Sequence, residues 1–395
     1  MIKTQIAHTR EIDDGESAVS EILAQLDMEH TLMKNSIGII TCHLEFMESG
    51  IVKSLCDRLP FDTVGINTMS TATSEEADQM MLGITVLTSD DVFFSVGLSE
   101  TLTRGQEGSI HALFNKTVAA LPEKPSMIMT FSSLLAEIGG GDWVVKELDL
   151  ASGGLPNFGT LAIDYTTVVR DPRIIFNGDT WNDRLVIILL CGNFKPLFSV
   201  TSISEDRILK QRAIVTKSVG NVVMEINDMP AGAYFESLGL AKDGKLSNVH
   251  QIPLIIDFND NAKPVARTIH FQSPEGYLVC GGTVQEGCSL AVGSIDMQDV
   301  VKTASNAVKD LLAKQQEGIL FFSCAVRNFA LGFDAMAELR TAREAMGTGR
   351  PYMFAYSGGE ICPVLTSDGK LKNRFHNVTL ISCSFDNRDN AEKCD

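Results

Sequence analysis

Polar residues follow a buried strand near the C-terminus, in an arrangement that could bind a small charged molecule. Ser323, Cys324 and Arg327 come directly after the apolar run ILFF. A guanidinium so close to a buried strand needs a partner, because an unpaired buried charge is costly. Arg327 therefore either forms a structural salt bridge or presents its planar fork to a ligand carboxylate. The residue types leave both interpretations open.

A second polar segment ends the strand that reads YMFAYSGGE, which contains Tyr356, Gly358, Gly359 and Glu360. Two adjacent glycines allow backbone paths and close approaches that larger residues do not. Glu360 could hold a ligand amine, cap a helix or pair with Arg327. Asp164 ends the run GTLAID at a matching place earlier in the chain. An arginine with one or two carboxylates at converging strand ends is the minimum that a zwitterionic amino acid requires.

Cys324 and His376 offer a different chemistry, in which a cysteine nucleophile is activated by a neighbouring base. Against this, a cysteine inside an apolar run usually packs as a small hydrophobic residue. His376, which with Asn377 opens the last strand, has the simpler role of a structural hydrogen-bonding residue. The seven histidines show no metal-ligand spacing, and Walker A, H-E-x-x-H and G-x-S-x-G motifs are absent. No metal site and no catalytic residue are predicted.

Three segments of similar pattern, 38–89, 127–191 and 318–384, position these residues. Each reads as a strand, a helix, a second strand that follows a proline, a loop and a third strand. The first strands are nearly continuous apolar runs, which is typical of sheets covered on both faces. We predict an α/β fold in which repeated strand–helix–strand–loop–strand modules form mixed sheets covered by helices. Divergent α/β sequence without a true repeat is the alternative.

The predicted organisation has two domains with short flanking segments. An N-terminal helical segment covers 1–34, the first domain 35–210, the second 211–385 and a polar tail 386–395. The boundary lies near the charged stretch from Ile203 to Arg212. Ligands in open α/β sheets bind beyond the carboxyl ends of strands, so the polar strand ends are the expected site.

Composition excludes several classes of partner. The 395 residues carry a net charge of −17 and no basic cluster, which opposes binding to nucleic acid and to anionic membranes. The N-terminus lacks the apolar core of a signal peptide, and the apolar runs are too short to cross a bilayer. Nine cysteines without a C-x-x-C motif argue against disulfide frameworks and structural zinc. We expect a cytoplasmic protein without membrane insertion.

Several motifs, in their order along the chain, resemble those of the FIST domain family. FFSCAVR, YMFAYSGGEICPV and FHNVTLIS resemble its C-terminal half, whose start GNVVMEINDMPAGAYFESLGL matches well. VGINTMSTATSE, which contains Thr71, and NFGTLAIDYT resemble its N-terminal half. In the first of these loops Ala72 stands where a glycine is expected. The resemblance runs from about Asn35 to Phe385.

The resemblance implies a small-ligand sensory module of bacterial, archaeal and some eukaryotic signalling proteins, with amino acids as a suggested ligand class. Many members are fused to a kinase, chemoreceptor or cyclase. This chain has no room for such an output, so a separate partner of that kind is expected. The first hypothesis is a cytosolic sensor that binds an amino acid or similar small polar metabolite without turnover. The predicted ligand-binding residues are Thr71, Asp164, Ser323, Cys324, Arg327, Tyr356, Gly358, Gly359, Glu360, His376 and Asn377.

Two other functions stay open. Some members of the family bind haem and sense nitric oxide, which would require an axial ligand such as a histidine. An enzyme built on Cys324 with His376 is the third hypothesis. No cofactor other than haem is implied.

Overall fold

The structure, a computed structural model, describes residues 1–103, 107–133, 140–164, 171–313, 316–347 and 349–386. The strands up to residue 201 are β1 (Lys3–Thr9), β2 (Asn35–Cys42), β3 (Asp62–Asn67), β4 (Thr71–Thr73), β5 (Ala77–Asp78), β6 (Leu82–Ser89), β7 (Val92–Leu98), β8 (Met127–Ser132), β9 (Asn157–Leu161), β10 (Ile174–Phe176), β11 (Asp179–Trp181), β12 (Leu185–Gly192) and β13 (Lys195–Thr201). The later strands are β14 (Ala213–Val219), β15 (Val222–Ile226), β16 (Met229–Pro230), β17 (Ala241–Lys242), β18 (Lys245–Leu246), β19 (Leu254–Asp257), β20 (Val265–Arg267), β21 (Ile269–Gln272), β22 (Leu278–Cys280), β23 (Ser289–Val292), β24 (Gln316–Cys324), β25 (Tyr352–Ser357), β26 (Glu360–Leu365), β27 (Leu371–His376) and β28 (Leu380–Asp386). The helices are α1 (Gly15–Gln25), α2 (Met28–Thr31), α3 (Leu44–Glu48), α4 (Ile51–Cys56), α5 (Glu107–Val118), α6 (Gly140–Ser152), α7 (Ala231–Ser237), α8 (Met297–Leu312), α9 (Ala325–Ala330) and α10 (Ala337–Met346).

The predicted repeat is present as three units that share one strand order. Unit 1 is built on β2, β3 and β6, unit 2 on β8, β9 and β12, and unit 3 on β24, β25 and β28. In each unit the first strand pairs parallel with the second and antiparallel with the third. An edge strand that precedes each unit, β1, β7 or β13, pairs antiparallel with the third strand. The sequence did not predict these edge strands.

The units exchange hairpins in a closed cycle. The loop after the second strand of unit 1 forms β4 and β5, which extend the sheet of unit 3 beside β25. The hairpin of unit 2, β10 and β11, extends the sheet of unit 1 beside β3. The hairpin of unit 3, β26 and β27, extends the sheet of unit 2 beside β9. Three six-stranded mixed sheets result, and each contains strands from two units.

One apolar core joins the three sheets. It includes Ile39 from unit 1, Phe131 and Phe158 from unit 2, and Phe322 from unit 3, all with no solvent exposure. The Phe322 ring lies 5.5 Å from the ring of Phe158 and 6.1 Å from that of Phe131, measured between centroids. The first strands are buried along most of their length, which confirms that the continuous apolar runs mark sheets covered on both faces.

An insertion between β13 and α8 forms a separate sheet with its own core. Its strands follow the order β20, β19, β23, β14, β15, β22 and β21, and β16 also pairs with β15. Apolar residues of these strands pack with Tyr234 and Phe235 of α7. The hairpin predicted around Ser273 to Gly276 is the one that joins β21 to β22. The chain then returns to unit 3 through α8, which Asp296 caps by accepting a 2.9 Å hydrogen bond from the Asp299 amide.

The flanking segments differ in part from their predictions. Residues 1–34 are not all helical, because β1 precedes α1 and pairs with β6. β1 lies at the edge of a sheet and lacks the continuous apolar run of a buried strand, which explains why the sequence did not predict it. The predicted boundary at 210/211 follows β13, although β13 belongs to the sheet of unit 3, and the boundary stays a prediction. Asp386 ends β28, and the rest of the predicted tail lies outside the described residues. In the described ranges, no helix is long and apolar enough to cross a membrane.

Candidate functional site

The polar residues of unit 3 form one buried group, which we call the strand-end cluster. Its members are Ser323, Cys324, Arg327, Glu338, Tyr356 and Glu360. They come from β24, α9, α10, β25 and β26, which meet where the parallel strands β24 and β25 end. All six residues are at most 3 % exposed.

Arg327 pairs with Glu338, and neither side chain is exposed. Arg327 Nε and Nη2 donate to Glu338 Oε1 at 2.9 and 2.6 Å, and Nη2 also donates to Thr303 Oγ1 at 3.1 Å. The second oxygen of Glu338 accepts a hydrogen bond from Ser323 Oγ at 3.0 Å. Of the two interpretations of Arg327, the structure therefore shows the salt bridge. Arg327 Nη1 remains buried without a partner.

Glu360 is held by hydroxyl groups and not by Arg327. Its Oε1 accepts from Ser357 Oγ at 2.8 Å and its Oε2 from Thr379 Oγ1 at 2.7 Å. Burial raises the pKa of Glu360 to about 8, although the hydroxyl hydrogen bonds and the Arg327 charge lower it. At neutral pH the side chain is thus mostly protonated and neutral.

Cys324 and His376 have the properties of packed residues. Burial and the nearby Glu360 raise the pKa of the Cys324 thiol, so the thiolate that a nucleophile requires is disfavoured. His376 Nε2 lies 3.0 Å from the Cys362 carbonyl oxygen and therefore carries the proton of that hydrogen bond. Burial lowers the pKa of His376 to about 3, and its Nδ1 has no partner.

The two glycines shape the turn between β25 and β26. The Gly358 amide donates to the Leu161 carbonyl at 2.8 Å, which ties this turn to the end of β9 in unit 2. Gly359 has a φ of 141°, and a Cβ there would lie 2.4 Å from Phe375. Only glycine suits that backbone conformation and that contact.

Asn377 donates to the His376 carbonyl at 3.0 Å, and its Oδ1 is buried without a partner.

Asp164 and Thr71 lie on the neighbouring units. Asp164 Oδ2 accepts the Asp171 amide at 3.0 Å beyond the end of β9. Thr71 donates to Thr41 Oγ1 at 3.1 Å, between β4 and β2. The Thr68 hydroxyl donates to the Tyr356 carbonyl at 2.6 Å, and the Ile163 amide donates to the Asn67 carbonyl at 3.2 Å. These bonds join the ends of the three second strands, so the predicted residues lie around one convergence point.

Comparison with protein families gives two adjoining matches. The FIST N domain matches residues 36–229 and the FIST C domain matches residues 227–363. The chain belongs to the FIST family. FIST domains are associated with sensory signal transduction and with the binding of small ligands. No curated protein sequence matches this FIST chain.

Two solved structures show a distant likeness to this FIST protein. A cyanuric acid hydrolase from A. caulinodans aligns with 98% of this chain and 100% of its own, at 8% identity and a TM-score of 0.35. A chorismatase aligns with 98% of both chains at 9% identity and a TM-score of 0.34. At these TM-scores the likeness carries no argument about the activity of this protein.

Sequence reasoning missed Glu338, the partner of Arg327 in this FIST protein. Glu338, Ala342 and Met346 are spaced by four residues, so they lie on the same buried face of α10. This four-residue spacing is the feature of the sequence that could have placed Glu338 on the buried face. Thr379 and Ser357, which hold Glu360, were also missed.

Proposed function

We propose that this FIST protein is a cytoplasmic sensor that binds an amino acid or a similar small polar metabolite at the strand-end cluster, without catalytic turnover. The observation that carries the proposal is that two polar groups buried in the cluster are not fully satisfied: Arg327 Nη1 has no hydrogen-bond partner, and the Tyr356 hydroxyl has none of normal geometry. Buried polar groups in native proteins are nearly always satisfied. Two such groups in one cluster indicate that a ligand binds there, or that water occupies the place a ligand would take.

The unmet groups suggest how a ligand carboxylate would bind. Arg327 Nη1 is a donor, and the Tyr356 hydroxyl lies beside Asn328 and Glu338 without a hydrogen bond of normal geometry. A carboxylate can accept from both groups, and the bond to the guanidinium would be charge-assisted. Because Glu338 occupies the Nε edge of Arg327, such a carboxylate would contact the arginine through Nη1 alone.

Glu360 suits the other end of a zwitterion. A ligand ammonium near Glu360 would stabilise its ionised form and so release the proton that burial retains. Asp164, across the convergence point in unit 2, is the second carboxylate that the sequence predicts for this role. Binding of such a ligand would therefore be accompanied by proton release near neutral pH.

The chemistry of Cys324 supports binding without turnover. Its thiol has a raised pKa, and the Nε2–H group of His376 donates a hydrogen bond to the Cys362 carbonyl oxygen. Haem binding stays a prediction. To bind the iron, His376 would have to lose this hydrogen bond or use Nδ1. A Soret band after addition of haem would support it. We expect the bound state to be read by a separate signalling partner such as a kinase, chemoreceptor or cyclase.

Thermal unfolding in the presence of single amino acids tests the proposal. A ligand at 100 times its dissociation constant stabilises the folded state by about 2.7 kcal/mol, so the melting temperature should rise. Tyr356→Phe removes the unpaired hydroxyl but keeps the ring in the core, and it should abolish or strongly reduce that rise.

Tyr352→Phe is the matched control, because Tyr352 begins the same strand and also has a buried hydroxyl without a partner. It should leave the ligand-induced rise unchanged. If no amino acid raises the melting temperature, or if both variants respond alike, the strand-end cluster is not the ligand site.

A further inference from the structure

A cleft of about 540 Å³ lies between α6 of unit 2, β27 of unit 3 and the inserted sheet. That volume is within the usual range for pockets that hold small organic molecules. It is separate from the strand-end cluster, since none of the six cluster residues lines it. Three different parts of the fold form its walls, so its shape depends on how the insertion packs on the repeated units.

One end of the cleft is lined by two cations. Lys372 and Arg374 both project from β27 and share a single carboxylate, that of Asp260. Lys372 Nζ lies 2.8 Å from Asp260 Oδ2, and Arg374 Nη2 donates to the same oxygen. Although burial works against ionisation, these two cations lower the pKa of Asp260 to about 2. Taken alone, these two cations and one carboxylate have a net positive charge, in a chain whose total charge is −17, and both cations also interact with Asp149.

The other carboxylates of the cleft already have partners. Asp142 accepts hydrogen bonds from Arg267 Nη2 at 2.9 Å and from the Thr283 amide at 2.7 Å. Asp149 accepts one from Asn373 Nδ2 at 2.6 Å, and burial raises its pKa, although this hydrogen bond and the charges of Arg374 and Lys372 act to lower it. By contrast, Arg374 Nε is buried without a partner. The unmet hydrogen-bonding capacity of the lining is thus a donor on a cation, which suits an anionic ligand.

Aromatic rings form the rest of the recognition surface. Trp143 of α6, Phe375 of β27 and Phe258 of the insertion line the cleft. The Arg374 guanidinium lies over the Phe258 ring, 5.3 Å from its centroid. Planar rings and a guanidinium stacked on an aromatic face favour a ligand that is itself flat and apolar beside its charge.

We propose that this cleft binds a small aromatic carboxylate. The carboxylate lies at Lys372 and Arg374, and the ring lies against Trp143 and Phe375. The site is independent of the amino-acid site proposed for the strand-end cluster. Binding would bridge the insertion and the repeated units, which gives the cleft a route to influence how the two pack.

Tryptophan fluorescence provides a direct test. The chain has two tryptophans, Trp143 in the cleft and Trp181 in β11. In a Trp181→Phe background, benzoate and phenylacetate should change the Trp143 emission with saturable titration curves. Lys372→Gln should weaken binding by about ten-fold, the equivalent of 1.4 kcal/mol. Asp260→Asn frees both cations and keeps a turn-compatible side chain, so it should strengthen binding by a similar factor.

The controls separate this site from non-specific charge effects. Lys370→Gln removes an exposed lysine just before β27 that pairs with Asp368 outside the cleft, and it should leave the affinity unchanged. Benzylamine and cyclohexanecarboxylate, which lack the negative charge and the aromatic ring respectively, should bind at least ten-fold more weakly than benzoate. Tyr356→Phe should leave benzoate binding intact, so this proposal can fail or hold independently of the amino-acid site.

A lack of saturation up to 10 mM benzoate, about the weakest affinity of interest, would overturn the proposal. Equal effects of Lys372→Gln and Lys370→Gln, or equal binding of benzylamine or cyclohexanecarboxylate, would also overturn it.

Discussion

Glu360 should give the fold a pH dependence that a single substitution can reveal. Its pKa of about 8 in the folded protein is above its ordinary value of 4.5, so the folded state binds the proton more tightly. The stabilisation from this proton is fully present below pH 4.5 and is lost as the pH rises to about 8. Glu360→Gln keeps a neutral side chain at all pH values. We expect Glu360→Gln to become more stable relative to the natural protein from pH 5 to pH 8, by at most about 1.4 kcal/mol per pH unit.

Chemical denaturation at several pH values measures this difference. Glu344→Gln, an exposed position on α10, is the control and should follow the natural protein at every pH. A constant difference between Glu360→Gln and the natural protein across this range would contradict a raised pKa of Glu360.

At the same scale, the sequence predicted that Arg327 must have a partner but did not identify Glu338. Burial of a charge near a strand end is a local property, which the apolar run before Arg327 reveals. The choice of partner depends on how α10 packs against β24, and tertiary packing of this kind is not encoded in one segment. The same reason explains why the sequence leaves three roles open for Glu360, among them pairing with Arg327, and does not indicate its partners Ser357 and Thr379.

At the scale of elements, glycines allow the close approach of the first and second strands in two units. Gly159 of β9 lies opposite Thr130 of β8, and a Cβ at Gly159 would lie 1.9 Å from the Thr130 carbonyl oxygen. Gly65 has the same relation to Ile40 in unit 1. Gly159→Ala should lower the free energy of unfolding by roughly 2–4 kcal/mol, because the obstacle is backbone and cannot rotate away.

Urea denaturation measures this change, and another glycine offers a matched control. Gly108 of α5 has open space around its Cβ position, so Gly108→Ala should stabilise the protein by up to about 1 kcal/mol. Equal effects of the two Gly→Ala changes would show that the β8–β9 contact tolerates a methyl group.

Some strands of each unit could be predicted from the sequence, and others could not. The first and third strands of every unit were predicted because continuous apolar runs identify strands buried on both faces. The sequence predicts loops where hairpins follow the second strands. Strands β4, β5, β10 and β11 are only two or three residues long and give little signal, whereas β26 and β27 have six residues each and were missed despite their length. Their pairing with another unit is non-local, and no local pattern specifies such a partner.

At the scale of the whole molecule, the exchange of hairpins should make the two FIST domains unfold as one. Residues 1–210 contain β9 but lack β26 and β27, so β9 would become an open edge with unpaired backbone groups. The same fragment would lose Phe322 and Met353 from the shared core. We therefore expect a single calorimetric transition for the intact chain, with equal calorimetric and van't Hoff enthalpies. The separate fragment 1–210 should show no cooperative melting, and mixing it with fragment 211–395 should restore part of the transition. Two resolved transitions in the intact chain, or a sharp melt of fragment 1–210 alone, would mean that the domains are independent despite their shared sheets.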